Sequence, residues 1–341
     1  MKTTYFIKAA CMLACTALWT ACEKEATMTG ISVDRESLSL LLGNNAQITA
    51  NPIPADASID TRTYEWSSDN ESIATVTPFG VVKSVEEGTC NIIVRNGSFS
   101  ATIPVTVTDP IQVPDKKAHW TFDEADLRVA AIGQPLTYGK RIDGSPRTTE
   151  LPTTDLSGFT SVAGPTSDNK AVRVAQWFFF GATHGIAPNG GGTKVNEYTI
   201  LFDFRIPQTG WHCFLQTAPN NDDDGDLFTN GSGKIGVGAT GYSADVVPAG
   251  EWHRLVATVK SGEFVNFYLD GALFHTLEAG GKNIADFPID GHRFVMEDKF
   301  VLLGDEDGED GDIEVSEIAL WSQALNADQV KKLERTESKL R

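Results

Sequence analysis

Short runs in which apolar and polar residues alternate, separated by turn residues, recur from residue 30 almost to the end of the chain. A period of two is the pattern of strands and excludes a helical fold. In Tyr198–Ile206, the residues Tyr198, Ile200, Phe202, Phe204 and Ile206 share one face. Thr199, Leu201, Asp203 and Arg205 share the other, so one side is expected to be core and the other partly wet. Trp252–Lys260 and Phe264–Leu269 alternate likewise, the second running into Asp270-Gly271, a tight hairpin turn. Helical spacing appears only in the tail: Asn326 is the expected cap, Gln329 sits three residues on, and Val330 and Leu333 form a short apolar face. The chain is therefore expected to be all-β. Residues 30–108 read as a β-sandwich, and residues 118–341 as an antiparallel jelly roll with a short C-terminal helix.

Charge narrows the partners. The 341 residues carry 46 Asp and Glu against 28 Lys and Arg, a formal net charge of −18. Such a surface repels phosphate backbones and argues against nucleic acid, without opposing neutral glycans, cations or basic partners. Residues 1–21 read as a leader, because Lys2 and Lys8 precede an apolar run, Ala9–Ala21, too short to span a bilayer. Its end, Leu18-Trp19-Thr20-Ala21-Cys22, resembles a bacterial lipoprotein signal with Cys22 as the lipidated residue. The leucine stands one place further upstream than in the usual pattern, and a plain secretory signal is the alternative. The charged Glu23-Lys24-Glu25 after a lipidated cysteine resembles the surface-export tags of some Gram-negative lipoproteins. The expected location is the outer membrane, lipid-anchored and facing outward from the cell surface, with residues 22–29 as tether and no other membrane contact. Cys90 and Cys213 fall in different expected domains and read as small buried hydrophobes.

Within residues 30–108 the motifs Ile31-Ser32-Val33, Tyr64-Glu65-Trp66-Ser67-Ser68-Asp69, Ile73-Ala74-Thr75-Val76, Gly80-Val81-Val82 and Glu87-Gly88-Thr89-Cys90-Asn91-Ile92 occur in order. In content and spacing the segment resembles a bacterial immunoglobulin-like group 2 domain along its whole length. The resemblance implies an immunoglobulin-like β-sandwich with Trp66 in its core, acting as a spacer. Residues 109–117, with Pro110 and Pro114, read as a stiffened linker that holds the second domain away from the first.

Five blocks characterise residues 118–341. His119-Trp120-Thr121-Phe122-Asp123 opens the segment, and His184-Gly185 leads to Asn189-Gly190-Gly191-Gly192 and Val195-Asn196-Glu197-Tyr198-Thr199. Trp252-His253-Arg254-Leu255-Val256 precedes Tyr268-Leu269-Asp270-Gly271, and Val315-Ser316-Glu317-Ile318-Ala319-Leu320-Trp321 with Ala324-Leu325 closes it. The combination resembles the laminin-G-like, concanavalin A-like lectin/glucanase family, in the bacterial branch related to pentraxins. It implies the concanavalin A-like jelly roll, with Trp321 as a core residue of the closing strand. That fold hosts lectins, adhesins, enzymes and scaffolds, so function has to come from the site.

Two acidic loops stand out. Asn220-Asn221-Asp222-Asp223-Asp224-Gly225-Asp226 matches the front half of a calcium loop, with alternating oxygens on a tight glycine turn, but Gly231 stands where an EF-hand needs glutamate. Asp305–Glu314 holds seven acids in ten positions, a density that repels itself unless a cation or solvent relieves it. Calcium is the expected cofactor, and the resemblance implies it too. The candidate ligands are Asp222, Asp224, Asp226, Asp305, Asp307 and Asp310, and solvated acidic loops are the alternative.

Catalysis finds less support. Relatives that cleave β-glucans carry E-x-D-x-x-E on a central strand, whereas Asp312-Ile313-Glu314-Val315-Ser316-Glu317 reads D-x-E-x-x-E near the end of the domain. His184, His212, His253 and His275 form no H-x-x-H or H-E-x-x-H pattern, and no serine sits in a G-x-S-x-G elbow. For sugar binding, which pairs an aromatic face with polar side chains, the best run is Gln176-Trp177-Phe178-Phe179-Phe180 followed by the His184–Asn189 loop. Trp177, Phe179, His184 and Asn189 are the candidate ligand residues. Alternate rings of a strand face opposite ways, so core packing on both faces is the competing reading. Trp211 and Trp252 read as core. The expected function is a non-catalytic, surface-displayed carbohydrate-binding module on an immunoglobulin-like spacer, with a polysaccharide or other glycan as partner and calcium in its loops. An adhesin or assembly component that binds a surface protein is the alternative, and a glycoside hydrolase the second.

Overall fold

The computed structural model describes residues 26–57, 63–142, 148–222, 224–278 and 287–333. The leader, Cys22 and the start of the tether lie outside them. The described chain is built of strands apart from one short helix, Ala327–Lys331, and no described helix is long and apolar enough to cross a membrane. It divides into two compact units between Pro110 and Ile111.

The first unit is a sandwich. Leu38–Leu41, Phe99–Thr108, Gly88–Asn96 and Glu65–Ser68 form one sheet in that order, and Asn45–Gln47, Val81–Ser84 and Ala74–Val76 another. Gly30–Val33 pairs with Ala50–Ile53. Alternation along these strands puts Ile48, Ala74, Val82, Ile92, Val94 and Ile103 wholly inside. Trp66 is half-buried against this core, and Cys90 is buried with a free thiol, as Cys213 is in the second unit. Gly80 shows why its motif needs glycine: its φ is +78°, and a Cβ there would lie 2.5 Å from the Ile48 carbonyl oxygen.

Two eight-stranded sheets make the second unit. One runs Phe159–Ala163, Lys170–Val174, Ile313–Trp321, Glu197–Arg205, His253–Lys260, Phe264–Leu269, Ala272–Glu278, with Ala118–Trp120 also paired to Ile313–Trp321. The other runs Thr148–Glu150, Thr137–Ile142, Phe178–Thr183, Lys299–Leu302, His212–Gln216, Leu227–Thr229, Ile235–Val237, Gly241–Tyr242. Between them Trp120, Tyr198, Phe202, Phe204, Phe214, Phe228 and Phe267 are all but inaccessible. Each such side chain contributes about 1.5–3 kcal/mol by leaving water, so this layer dominates the stability of the unit.

The outer face of Glu197–Arg205 is drier than its alternation suggests, for Thr199, Leu201 and Asp203 are also buried. A second apolar cluster covers it, formed by Leu201, Val256, Tyr268, Trp321, Leu325 and Val330 with Val113 and Leu333. The short helix delivers Val330 there, held by the capping box that Asn326 and Gln329 form. Residues 111–117 are docked on the same unit: Trp321 Nε1 donates to Pro114 O at 2.9 Å, and Lys117 N to Leu320 O at 2.7 Å.

Candidate functional site

The second acidic loop, which begins at the end of Lys299–Leu302 and leads into Ile313–Trp321, organises one end of the second unit. Asp305 is fully buried. Its carboxylate accepts from Asp307 N at 3.1 Å, Glu309 N at 3.3 Å and Gly225 N at 3.3 Å, so it ties its own loop together and fastens it to the first acidic loop. Burial, reinforced by the neighbouring acids, pushes its carboxyl up to about 8. Asp310 is buried as well and pushed up to about 7 for the same leading reason, with one oxygen accepting from Trp177 N at 3.1 Å.

The six aspartates read as calcium ligands separate into three groups. Asp224 and Asp305, 81 positions apart, come together with Glu306, and one carboxylate oxygen from each lies within 4.8 Å of the other two. Asp226 and Asp310 are held inside, Asp226 by Thr217 N at 2.9 Å, Thr217 Oγ1 at 2.6 Å and Phe294 N at 3.1 Å. Asp222 and Asp307 are exposed and join no such group. Glu306 escaped the sequence reading, since only the fold shows which of several adjacent acids turns toward Asp224. Three carboxylate oxygens this close together suit a hard divalent cation, although Asp224 is also paired with Arg293 Nη2 at 2.8 Å. Calcium takes about six to eight oxygens, so further ligands from backbone or water would complete its shell.

The residues read as sugar ligands serve structural ends instead. Phe179 is wholly buried, and a Cβ at either Gly139 or Gly304 would collide with its ring, so it has no face to offer. His184 is buried, with Nε2 bonded to Glu297 O and Nδ1 accepting from Ile186 N at 2.9 Å; burial holds its pKa below the usual histidine value. Asn189 spends its amide on Glu197 O at 2.7 Å and accepts from Asn196 N at 2.9 Å. Trp177 is half-buried beneath the Arg141 guanidinium at 4.2 Å and against Gly308, which anchors the acidic loop to the sheet.

Among the described residues of the second unit, the exposed aromatic is Trp211, 36% accessible at the start of His212–Gln216. It lines a depression of about 520 Å³ with Arg173, Gln176, Gln208, His212 and Asp312. Phe228 and Tyr242 meet its ring edge-on at 6.1 and 6.3 Å, which fixes its position. The acidic loop contributes to the wall: Gln176 Nε2 donates to Gly308 O at 2.8 Å, Gln176 N to Asp312 at 3.1 Å, and Arg173 to the other Asp312 oxygen. Burial works to raise the Asp312 pKa, but the Arg173 and Gln176 donors outweigh it and hold the carboxyl below its usual value. A signal for Trp211 existed in the sequence: it follows Pro207, Thr209 and Gly210 in a turn and belongs to no alternating run.

Residues 27–109 match the bacterial Ig-like domain (group 2) family, and residues 180–331 the concanavalin A-like lectin/glucanases superfamily. The chain is 36% identical over 90 residues to a lacto-N-biosidase of Bifidobacterium bifidum, covering 26% of this chain and 8% of that protein. It is 31% identical over 110 residues to an alpha-L-arabinofuranosidase of Bifidobacterium longum subsp. longum, covering 32% of this chain and 10% of that one. The chain thus spans a tenth or less of the length of these curated relatives. Among solved structures, domain 4 of AbnA, a GH43 extracellular arabinanase from Geobacillus stearothermophilus, in complex with arabinotriose, aligns with 65% of this chain and 98% of its own, at 19% identity and a TM-score of 0.44. The chain carries, in this order, a bacterial Ig-like domain (group 2) and a domain of the concanavalin A-like lectin/glucanases superfamily.

Proposed function

We propose that the second unit is a non-catalytic carbohydrate-binding module whose ligand seats against Trp211, carried on the Ig-like unit of an exported, lipid-anchored chain. One observation carries the reading: an exposed tryptophan shares a depression with the planar polar groups of Arg173, Gln176, Gln208 and Asp312. A pyranose or furanose has C–H faces that stack on an indole and hydroxyls that need such partners. The partial matches to two glycosidases agree with a carbohydrate setting. Binding without cleavage is favoured because the carboxylate in the depression, Asp312, is held ionised by Arg173, while the carboxyls displaced upward, Asp305 and Asp310, are buried away from a substrate. Export and lipidation at Cys22 rest on the leader sequence, and loss of fatty-acid labelling in Cys22→Ala tests them.

Isothermal titration of the chain without its leader against a panel of soluble arabino-, galacto-, xylo- and gluco-oligosaccharides tests the module. Saturable binding that weakens strongly in Trp211→Ala is expected. Silence across the panel would turn the reading toward a protein ligand.

A second reading concerns the cation. The convergence of Asp224, Asp305 and Glu306 favours a divalent ion there, with calcium first in view of the all-oxygen donors. Titration with calcium chloride should show one site that Asp305→Asn removes.

A further inference from the structure

We infer that the Trp211 depression selects neutral sugars over acidic ones and that Asp312 sets this preference; the inference rests on the glycan reading above. Arg173 is the only lysine or arginine in the lining. Its guanidinium is paired with Asp312, so the wall carries no uncompensated positive charge. Recognition of a sugar carboxylate calls for a free cation, best a guanidinium fork, and here the partner is already in place. His212 supplies no substitute: it is buried, and its Nε2–H donates to Gln208 O at 3.0 Å.

The same carboxylate arranges the groups that suit hydroxyls. Its second oxygen accepts from Gln176 N, and Gly308 O takes the Gln176 amide NH2, which leaves the Gln176 carbonyl oxygen to receive a sugar hydroxyl. Beside Gly308, which lines the depression, Asp307 and Glu309 are not fully buried and add negative charge, in a chain of net charge −18. A carboxylated sugar meets repulsion on approach and no counter-charge on arrival, whereas a neutral sugar meets neither penalty.

The test is calorimetry of the chain without its leader against neutral galacto-, arabino- and xylo-oligosaccharides and against oligogalacturonides of equal length. The galactose and galacturonate rings differ only by a hydroxymethyl against a carboxylate. The wild type should prefer its best neutral ligand by at least about tenfold. Asp312→Asn keeps an acceptor for Gln176 N but releases Arg173, so the preference should narrow, and the gained acidic affinity should fall at high salt. Arg173→Gln, which leaves Asp312 unpaired, should widen it and decides the matter if Asp312→Asn does not fold. Equal wild-type binding of both classes, or an unchanged ratio in the variants, overturns the inference alone. Binding of no oligosaccharide by the wild type overturns the glycan reading and this inference with it.

Discussion

The backbone N–H of Gly311 donates to the carbonyl oxygen of Trp211 at 2.8 Å, joining the acidic loop directly to the exposed aromatic. The two segments run so close that a Cβ at Gly311 would lie 2.6 Å from that oxygen and 3.1 Å from the His212 ring. Gly311→Ala should therefore push the loop off Trp211. Overpacking of this kind costs about 1–3 kcal/mol, so the fold should survive while the depression is distorted. Calorimetry together with urea unfolding checks this. Unchanged affinity in a folded Gly311→Ala protein would mean that the loop does not shape the site.

Trp211 and Trp177 should respond in opposite ways. Truncating a central aromatic anchor of a binding surface costs about 2 kcal/mol or more, so Trp211→Ala should lower glycan affinity about 30-fold. Its stability should change little, because the ring is partly in water. Trp177 holds Arg141 and Gly308 in place and is half-buried, so Trp177→Ala should cost about 2–3 kcal/mol of unfolding free energy. Denaturant curves beside binding isotherms separate the two. A Trp177 variant with native stability and lost binding would return the ligand site to the aromatic run.

What could be read without coordinates follows from how local the cause is. The strands of both units, the Asn326–Gln329 cap and the inward face of Tyr198–Ile206 depend on neighbouring residues, and all are present. The two acidic loops were visible for the same reason. Which aromatic is exposed was not, because Phe179 is covered by glycine-lined contacts from Gly139 and Gly304, 40 and 125 positions away. Trp211 reads as core in the sequence because hydrophobicity alone does not reveal that its side chain is left exposed. The wet face expected for Thr199 and Asp203 is dry because residues near Val113 and Val330, distant in sequence, fold over it.

Stability should peak in mildly acidic solution, at about pH 4, and fall on both sides. Burial opposes ionisation of Glu317, but the hydrogen bond from His119 and the charges of Arg254 and Lys116 hold its carboxyl at about 2 against an ordinary 4.5. Its contribution is complete above pH 4.5 and disappears as pH falls toward 2. Asp310 and Asp305, pushed up to about 7 and about 8, act with the opposite sign. Their contribution is complete below pH 3.8, declines from there as the unfolded chain ionises while the fold stays protonated, and is gone once pH has risen through 7 and 8. Calcium, by favouring ionised Asp305, should lift the alkaline limb and leave the acid limb alone. Urea unfolding across the pH range, with calcium or EDTA, checks both limbs. A flat profile between about pH 5 and pH 9 in EDTA would mean that Asp305 and Asp310 ionise freely in the fold, and a calcium effect equal on both limbs would remove the cation from this loop.

The costliest single change should lie outside the lining of the depression, on the covered face of the sheet that holds Glu197–Arg205. Asp203 is almost wholly buried and receives two bonds from Arg254, from Nε at 2.8 Å and from Nη2 at 2.7 Å. Arg254 also reaches Glu317 at 2.7 Å and the Leu333 carbonyl, so one guanidinium joins two strands to the C-terminal segment. Removing one member of a buried pair leaves an uncompensated charge and costs about 3–5 kcal/mol. Asp203→Ala should approach that range, whereas Asp126→Ala, which breaks the exposed pair with Arg128, should cost under about 1 kcal/mol. A double variant, Asp203→Leu with Arg254→Met, should recover part of the loss, since apolar replacements remove the stranded charge as well as the bond. Chemical denaturation of the three proteins measures each step. If Asp203→Ala proved as mild as Asp126→Ala, the cover formed by the C-terminal segment would have to be open to water.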